Sequence, residues 1–114
     1  MSIRELYGSI GESYEAAEKR LGGEEAVLAG AKKFCADDAF ETLKHSMGEA
    51  DLTRSFIIAR SLKTRAEELC FNSFLQPMSA LTEILRRGTL VGTEDLLMKS
   101  ELRYLLIKIN AENL

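Results

Sequence analysis

Few side chains in this chain could do chemistry, and their spacing narrows what that chemistry could be. His45 is the only histidine. On a helix it falls two residues, about 200°, from Leu43, which puts it on the solvent side near a helix end where a cation is favoured. One imidazole makes a histidine-based metal site improbable. Cys35 and Cys70 form no Cys-x-x-Cys pair and have no histidine partner in the helical frame, and no Gly-x-Ser-x-Gly turn or phosphate-binding glycine loop occurs. Leu21-Gly22-Gly23-Glu24 reads as a helix stop, and Glu24-Glu25 would repel a phosphate. No enzyme activity, metal or cofactor is therefore expected. What remains is a helix face: Ile57, Arg60, Lys63, Thr64 and Glu67.

That face needs a helix to carry it. Leu62, Ala66 and Leu69 recur at i, i+4, i+7, with Ala59 and Ile58 beside them, the stripe of a buried face. Arg60 lies about 160° from Leu62. Thr53, Ile57, Thr64 and Glu67 share its outward side, with Lys63 at the shoulder. Asp51 caps this helix, which should run to about Cys70.

Further helices flank it. Ser2 and Glu5 have capping-box spacing for a short helix stopped at Gly8. Ser13 opens a second, Tyr14 to Leu21, stopped by Gly22-Gly23. The third runs from Glu24 to about Cys35 with Val27, Ala31 and Phe34 inward. Asp37 or Asp38 caps the fourth, which turns Phe40, Leu43 and Met47 inward and stops at Gly48. After the long fifth helix, Phe74, Met78, Leu81 and Leu85 stripe a sixth. Pro77 should bend this helix or mark its true start at Gln76-Pro77. Thr93 caps the last, whose buried edge is expected to be Met98, Leu102, Leu105 and Ile109. Short loops between such helices favour antiparallel neighbours.

Length and composition agree with one small all-α domain. The chain has 114 residues, 46% hydrophobic and 29% charged, with one Pro and no Trp. A net charge of −3 argues against broad nucleic-acid binding. No apolar run approaches the ~18 residues of a membrane span, and Met1-Ser-Ile-Arg-Glu lacks a secretory core. With thiols expected to stay reduced, a cytoplasmic location is expected.

The run Ala59-Arg60-Ser61-Leu62-Lys63, with Ala66, Leu69 and Phe71 downstream, resembles the signature of histidine-containing phosphotransfer (HPt) domains. Family members read Ala-His-x-Leu-Lys-Gly, followed some six residues later by Gly and a hydrophobic residue. The phosphorylated histidine falls on Arg60, the first glycine on Thr64 and the later one on Cys70. The resemblance covers roughly residues 23–112. It implies an HPt-like antiparallel four-helix bundle over residues 23–114, with residues 1–22 as N-terminal cover helices of the same domain.

It also implies a place in a two-component phosphorelay, with a response-regulator receiver domain or a histidine kinase as partner. A phosphotransfer histidine works because a neutral imidazole nitrogen attacks the phosphoryl group and later leaves. A guanidinium holds its proton and offers no lone pair, so the relay step is not available at Arg60. What is left is docking: Ile57, Arg60, Lys63, Thr64 and Glu67 would bind the partner, with the added side chain of Thr64 narrowing the approach. The alternative is a drifted bundle serving as a general interaction or self-association module. Oligomeric state stays open at this point.

Overall fold

The computed structural model describes all residues, 1–114, and every regular element is a helix. The seven helices are α1 (Ile3–Ser9), α2 (Tyr14–Leu21), α3 (Glu24–Ala36), α4 (Ala39–Gly48), α5 (Leu52–Glu68), α6 (Asn72–Arg86) and α7 (Glu94–Ala111). Side-chain caps set three of the seven starts. Ser2 and Glu5 close a capping box, and the side chains of Ser13 and Asp51 accept from Ala16 N and Arg54 N. No helix is long and apolar enough to cross a membrane.

α5 packs between α4 and α6, α6 lies against α7, and α7 also meets α3. The buried face of α5 is built from small residues, Ser55, Ala59 and Ala66, around Leu62. Small side chains let its neighbours come close, and the Ser55 hydroxyl meets Ser46 Oγ of α4 at 2.8 Å, so neither is left unsatisfied in the interior. Aromatic rings fill the space beyond. Phe34 packs edge-on against Phe71 and Phe74, and Tyr104 of α7 stacks on Phe40 of α4 with centroids 5.0 Å apart. The Tyr104 hydroxyl donates to Asp37 O at 3.2 Å.

The N-terminal helices do more than cover this core. Ile3, Leu6, Tyr7 and Ala17 are buried members of it. The Tyr7 hydroxyl donates to Leu69 O at 2.5 Å, and burial raises its pKa, so it stays a donor. Residues 1–22 and 23–114 therefore share one hydrophobic interior.

Several expected boundaries shift for identifiable reasons. Gly8 lies inside α1, and Gly48 is the last residue of α4. The turns after α4 and α5 are instead closed by Ala50 and Cys70, both with φ +57°. Each turn has the same double hydrogen bond: Asp51 N to Ser46 O with Ala50 N to Met47 O, and Phe71 N to Ala66 O with Cys70 N to Glu67 O. This is the Schellman arrangement with a non-glycine in the left-handed position. α6 starts at Asn72, ahead of Pro77, and continues through it. Its first turn is held from a distance, because Glu12 Oε2 accepts from Ser73 N at 2.8 Å and from Ser73 Oγ at 3.0 Å. Thr93 stands at the start of α7 but makes no side-chain cap, since its hydroxyl donates to Leu90 O.

The largest departure concerns α7. The expected buried edge faces outward: Met98, Leu102 and Ile109 are 59%, 63% and 61% exposed, and Leu105 is 43%. Ser100, Tyr104 and Ile107 are buried in their place. The helix is apolar on two opposite faces, so periodicity offers two equivalent solutions. The contacts of Tyr104 with Phe40 and Asp37 select one, and Ser100 is tolerated inside because its hydroxyl donates to Leu96 O.

Candidate functional site

α5 presents its outer face around Arg60 because its inner face is fixed by Ser55, Ala59, Leu62 and Ala66. Ile57, Arg60 and Thr64 lie along successive turns and are exposed, Ile57 by 61%. With Phe56, Ser61 and Arg65 they line a surface cleft of about 390 Å³. Thr64 Oγ1 donates to Arg60 O at 3.0 Å, so its hydroxyl is turned back onto the helix.

The electrostatics distinguish the arginines. Arg60 belongs to none of the ion pairs in the chain, whereas Arg65 is half-buried with Nη1 2.9 Å from Asp37 Oδ2. Asp37 lies below the usual carboxylate range, chiefly because it accepts from Ala39 N, with Arg65 adding to the effect. The Arg65 Nε is buried without a partner. Arg65 thus lines the cleft and also ties α5 to the α3–α4 turn. Arg60 is the cation left free at its mouth.

Two expected site residues fall outside this group. Glu67 is 3.6 Å from the Arg20 guanidinium of α2, and Arg20 also donates to the Glu67 carbonyl. Lys63 is half-buried and close enough to α6 to act on Glu83, whose carboxyl is held below its ordinary value mainly by hydrogen bonds from Arg86, with smaller contributions from Arg87 and Lys63. The structure brings Ile57, Arg60 and Thr64 together, ties Glu67 to α2 and leaves Lys63 half-buried outside the cleft. Phe56, Ser61 and Arg65 are cleft residues that sequence reasoning missed. For Phe56 and Ser61 the signal was present, since Phe56–Arg60 and Ile57–Ser61 are both i, i+4 pairs.

His45 is exposed on α4, with Nε2 2.8 Å from Glu49 Oε1 one turn on. A wider hollow of about 480 Å³ at the α6–α7 turn is lined by Leu90, Val91, Gly92, Glu94 and Asp95 and offers carboxylates without a base. No three His, Cys, Asp or Glu side chains gather in a way that could hold a metal ion. No family model, curated protein or solved structure matches the chain.

Proposed function

We propose that this protein is an HPt-like docking protein that binds a response-regulator receiver domain, or a histidine kinase, without carrying phosphate itself. The observation that carries the reading is the free Arg60 beside exposed Ile57 at the mouth of the α5 cleft, at the position where the resembling family has its histidine. A receiver's phosphorylation site is a cluster of carboxylates, and an unpaired guanidinium beside the apolar side chains of Phe56 and Ile57 is complementary to it. The protein would compete with true phosphotransfer partners or sequester the regulator.

Two features of the chain support the architecture behind this reading. α4, α5, α6 and α7 can be taken as the four-helix bundle, joined edge to edge by α4–α5, α5–α6 and α6–α7 packing and closed by Phe40–Tyr104 stacking and the Lys44–Glu101 pair. The position matched to the family's later glycine, Cys70, has φ +57°, a conformation glycine adopts without strain. The drifted-module alternative is favoured by Thr64, whose side chain stands where the family leaves space.

The test is calorimetric titration of the protein and of its Arg60→Ala and Ile57→Asp forms against receiver domains encoded in the same genome. The expected result is binding in the micromolar range to at least one receiver, weakened tenfold or more by either substitution. Binding that is indifferent to both substitutions, or absent for every receiver, would leave the drifted module as the better account.

A further inference from the structure

The outward face of α7 has no partner within the chain. Met98, Leu102, Leu105 and Ile109 lie along it, and Leu106, 38% exposed, widens it on one side. Their 4-3-4 spacing alternates as the core positions of a two-stranded coil do. The five side chains together present on the order of 500 Å², toward the upper end of the ~300–600 Å² typical of the largest patch on a monomer. One partner of a standard interface contributes about 800 Å², and the alkyl stems of flanking Lys99 and Lys108 can supply part of the remainder.

The order of residues is close to palindromic: Met98 and Ile109 outside, Leu102 and Leu105 inside. A two-fold contact requires a surface complementary to itself, and a 4-3-4 spacing, which reads the same in both directions, sets each apolar side chain against another. We infer that α7 pairs antiparallel with α7 of a second copy, about an axis passing between Leu102 and Leu105. Leu102 of each copy then meets Leu105 of the other, and Met98 meets Ile109. Charge fits the same register. Lys108 has no ion pair in its own chain, where its ammonium lies 5.9 Å from the Tyr104 ring centroid, and it stands on the same edge of the stripe as Glu101. In the antiparallel pair Lys108 of each copy turns to Glu101 of the other, whose Oε2 already holds Lys44 of its own chain. Each of the two seam contacts thus adds a second cation to one carboxylate. Glu94 and Glu112, on that same edge, approach each other at the ends, a like-charge contact at a rim that water and salt screen.

The inference is independent of the docking reading, because Ile57 and Arg60 belong to α5. Sedimentation equilibrium of the full chain from about 1 µM to 1 mM tests it. A dimer with a micromolar dissociation constant is expected. Leu102→Asp should weaken it at least tenfold while circular dichroism shows unchanged helix content, since the side chain is exposed in the monomer. Lys108→Glu should weaken it severalfold at low salt and less at high salt. A monomeric mass at every concentration, or a dimer untouched by Leu102→Asp, overturns the inference. A dimer sensitive to Leu102→Asp and insensitive to Lys108→Glu overturns the antiparallel register.

Discussion

Glu12 offers the sharpest test of how the N-terminal helices are tied to the bundle. It sits between α1 and α2, 61 residues away in sequence from the backbone it caps. Its Oε2 accepts from both Ser73 N and Ser73 Oγ in the first turn of α6, where backbone donors have no intrahelical acceptor. Hydrogen bonds to a charged acceptor contribute about 1.5–3 kcal/mol each, and a carboxylate at a helix N-terminus adds roughly 0.3–1 kcal/mol. The site is partly open, so water replaces much of what is lost, and Glu12→Ala is expected to cost about 2 kcal/mol. Glu12→Gln keeps an acceptor oxygen without the charge and should cost about half as much. Ser73→Ala removes the hydroxyl contact alone and should cost under ~1 kcal/mol.

Urea unfolding followed at the helical circular dichroism band measures all three. With a slope of about 1–3 kcal/mol per molar for a small protein, Glu12→Ala should lower the midpoint by about 1 M. The double variant should fall short of the sum of the single effects, because the two residues share an interaction. A Glu12→Ala midpoint within experimental error of the parent would refute the reasoning. It would mean that water caps α6 as well as the carboxylate does.

Three further outcomes follow from buried or paired groups. Tyr7→Phe removes the donor to the Leu69 carbonyl where α5 ends and should cost about 1–3 kcal/mol in the same urea assay, since that acceptor is left buried. Burial pushes the Cys35 thiol up to about 11, so its alkylation near neutral pH should be at least tenfold slower in the native protein than in urea, as read by mass spectrometry of the Cys35 peptide. Asp37 has a folded-state pKa below its unfolded value, so its contribution is present above the unfolded pKa of about 3.9 and is lost as pH falls through the lower folded value. The urea midpoint should therefore drop on acidification below about pH 4, and Asp37→Asn should flatten that part of the profile.

The candidate site was only partly legible before the fold was known. The outward placement of Ile57, Arg60 and Thr64 follows from the Leu62–Ala66–Leu69 stripe, because one helix face determines the opposite one. The roles of Lys63, Arg65 and Glu67 do not follow from it. Arg65 and Glu67 pair with Asp37 and Arg20 on other elements, and long flexible cations and carboxylates take whichever neighbour the packing supplies.

The same division runs through the whole molecule. The all-helical class, the order of the helices, the caps at Ser2, Ser13 and Asp51, and the inward stripes of α3 to α6 were set by local chemistry and periodicity, which act within a few turns of chain. Only the tertiary structure decided which face of α7 is buried, where α6 finds its cap, and that Ala50 and Cys70 rather than glycines close the turns after α4 and α5. Burial of apolar surface has no preferred direction, so a helix with two apolar faces cannot choose between them alone. The aromatic stacking of Tyr104 on Phe40 and its hydrogen bond to the Asp37 carbonyl make that choice, and they leave Met98, Leu102, Leu105 and Ile109 facing outward.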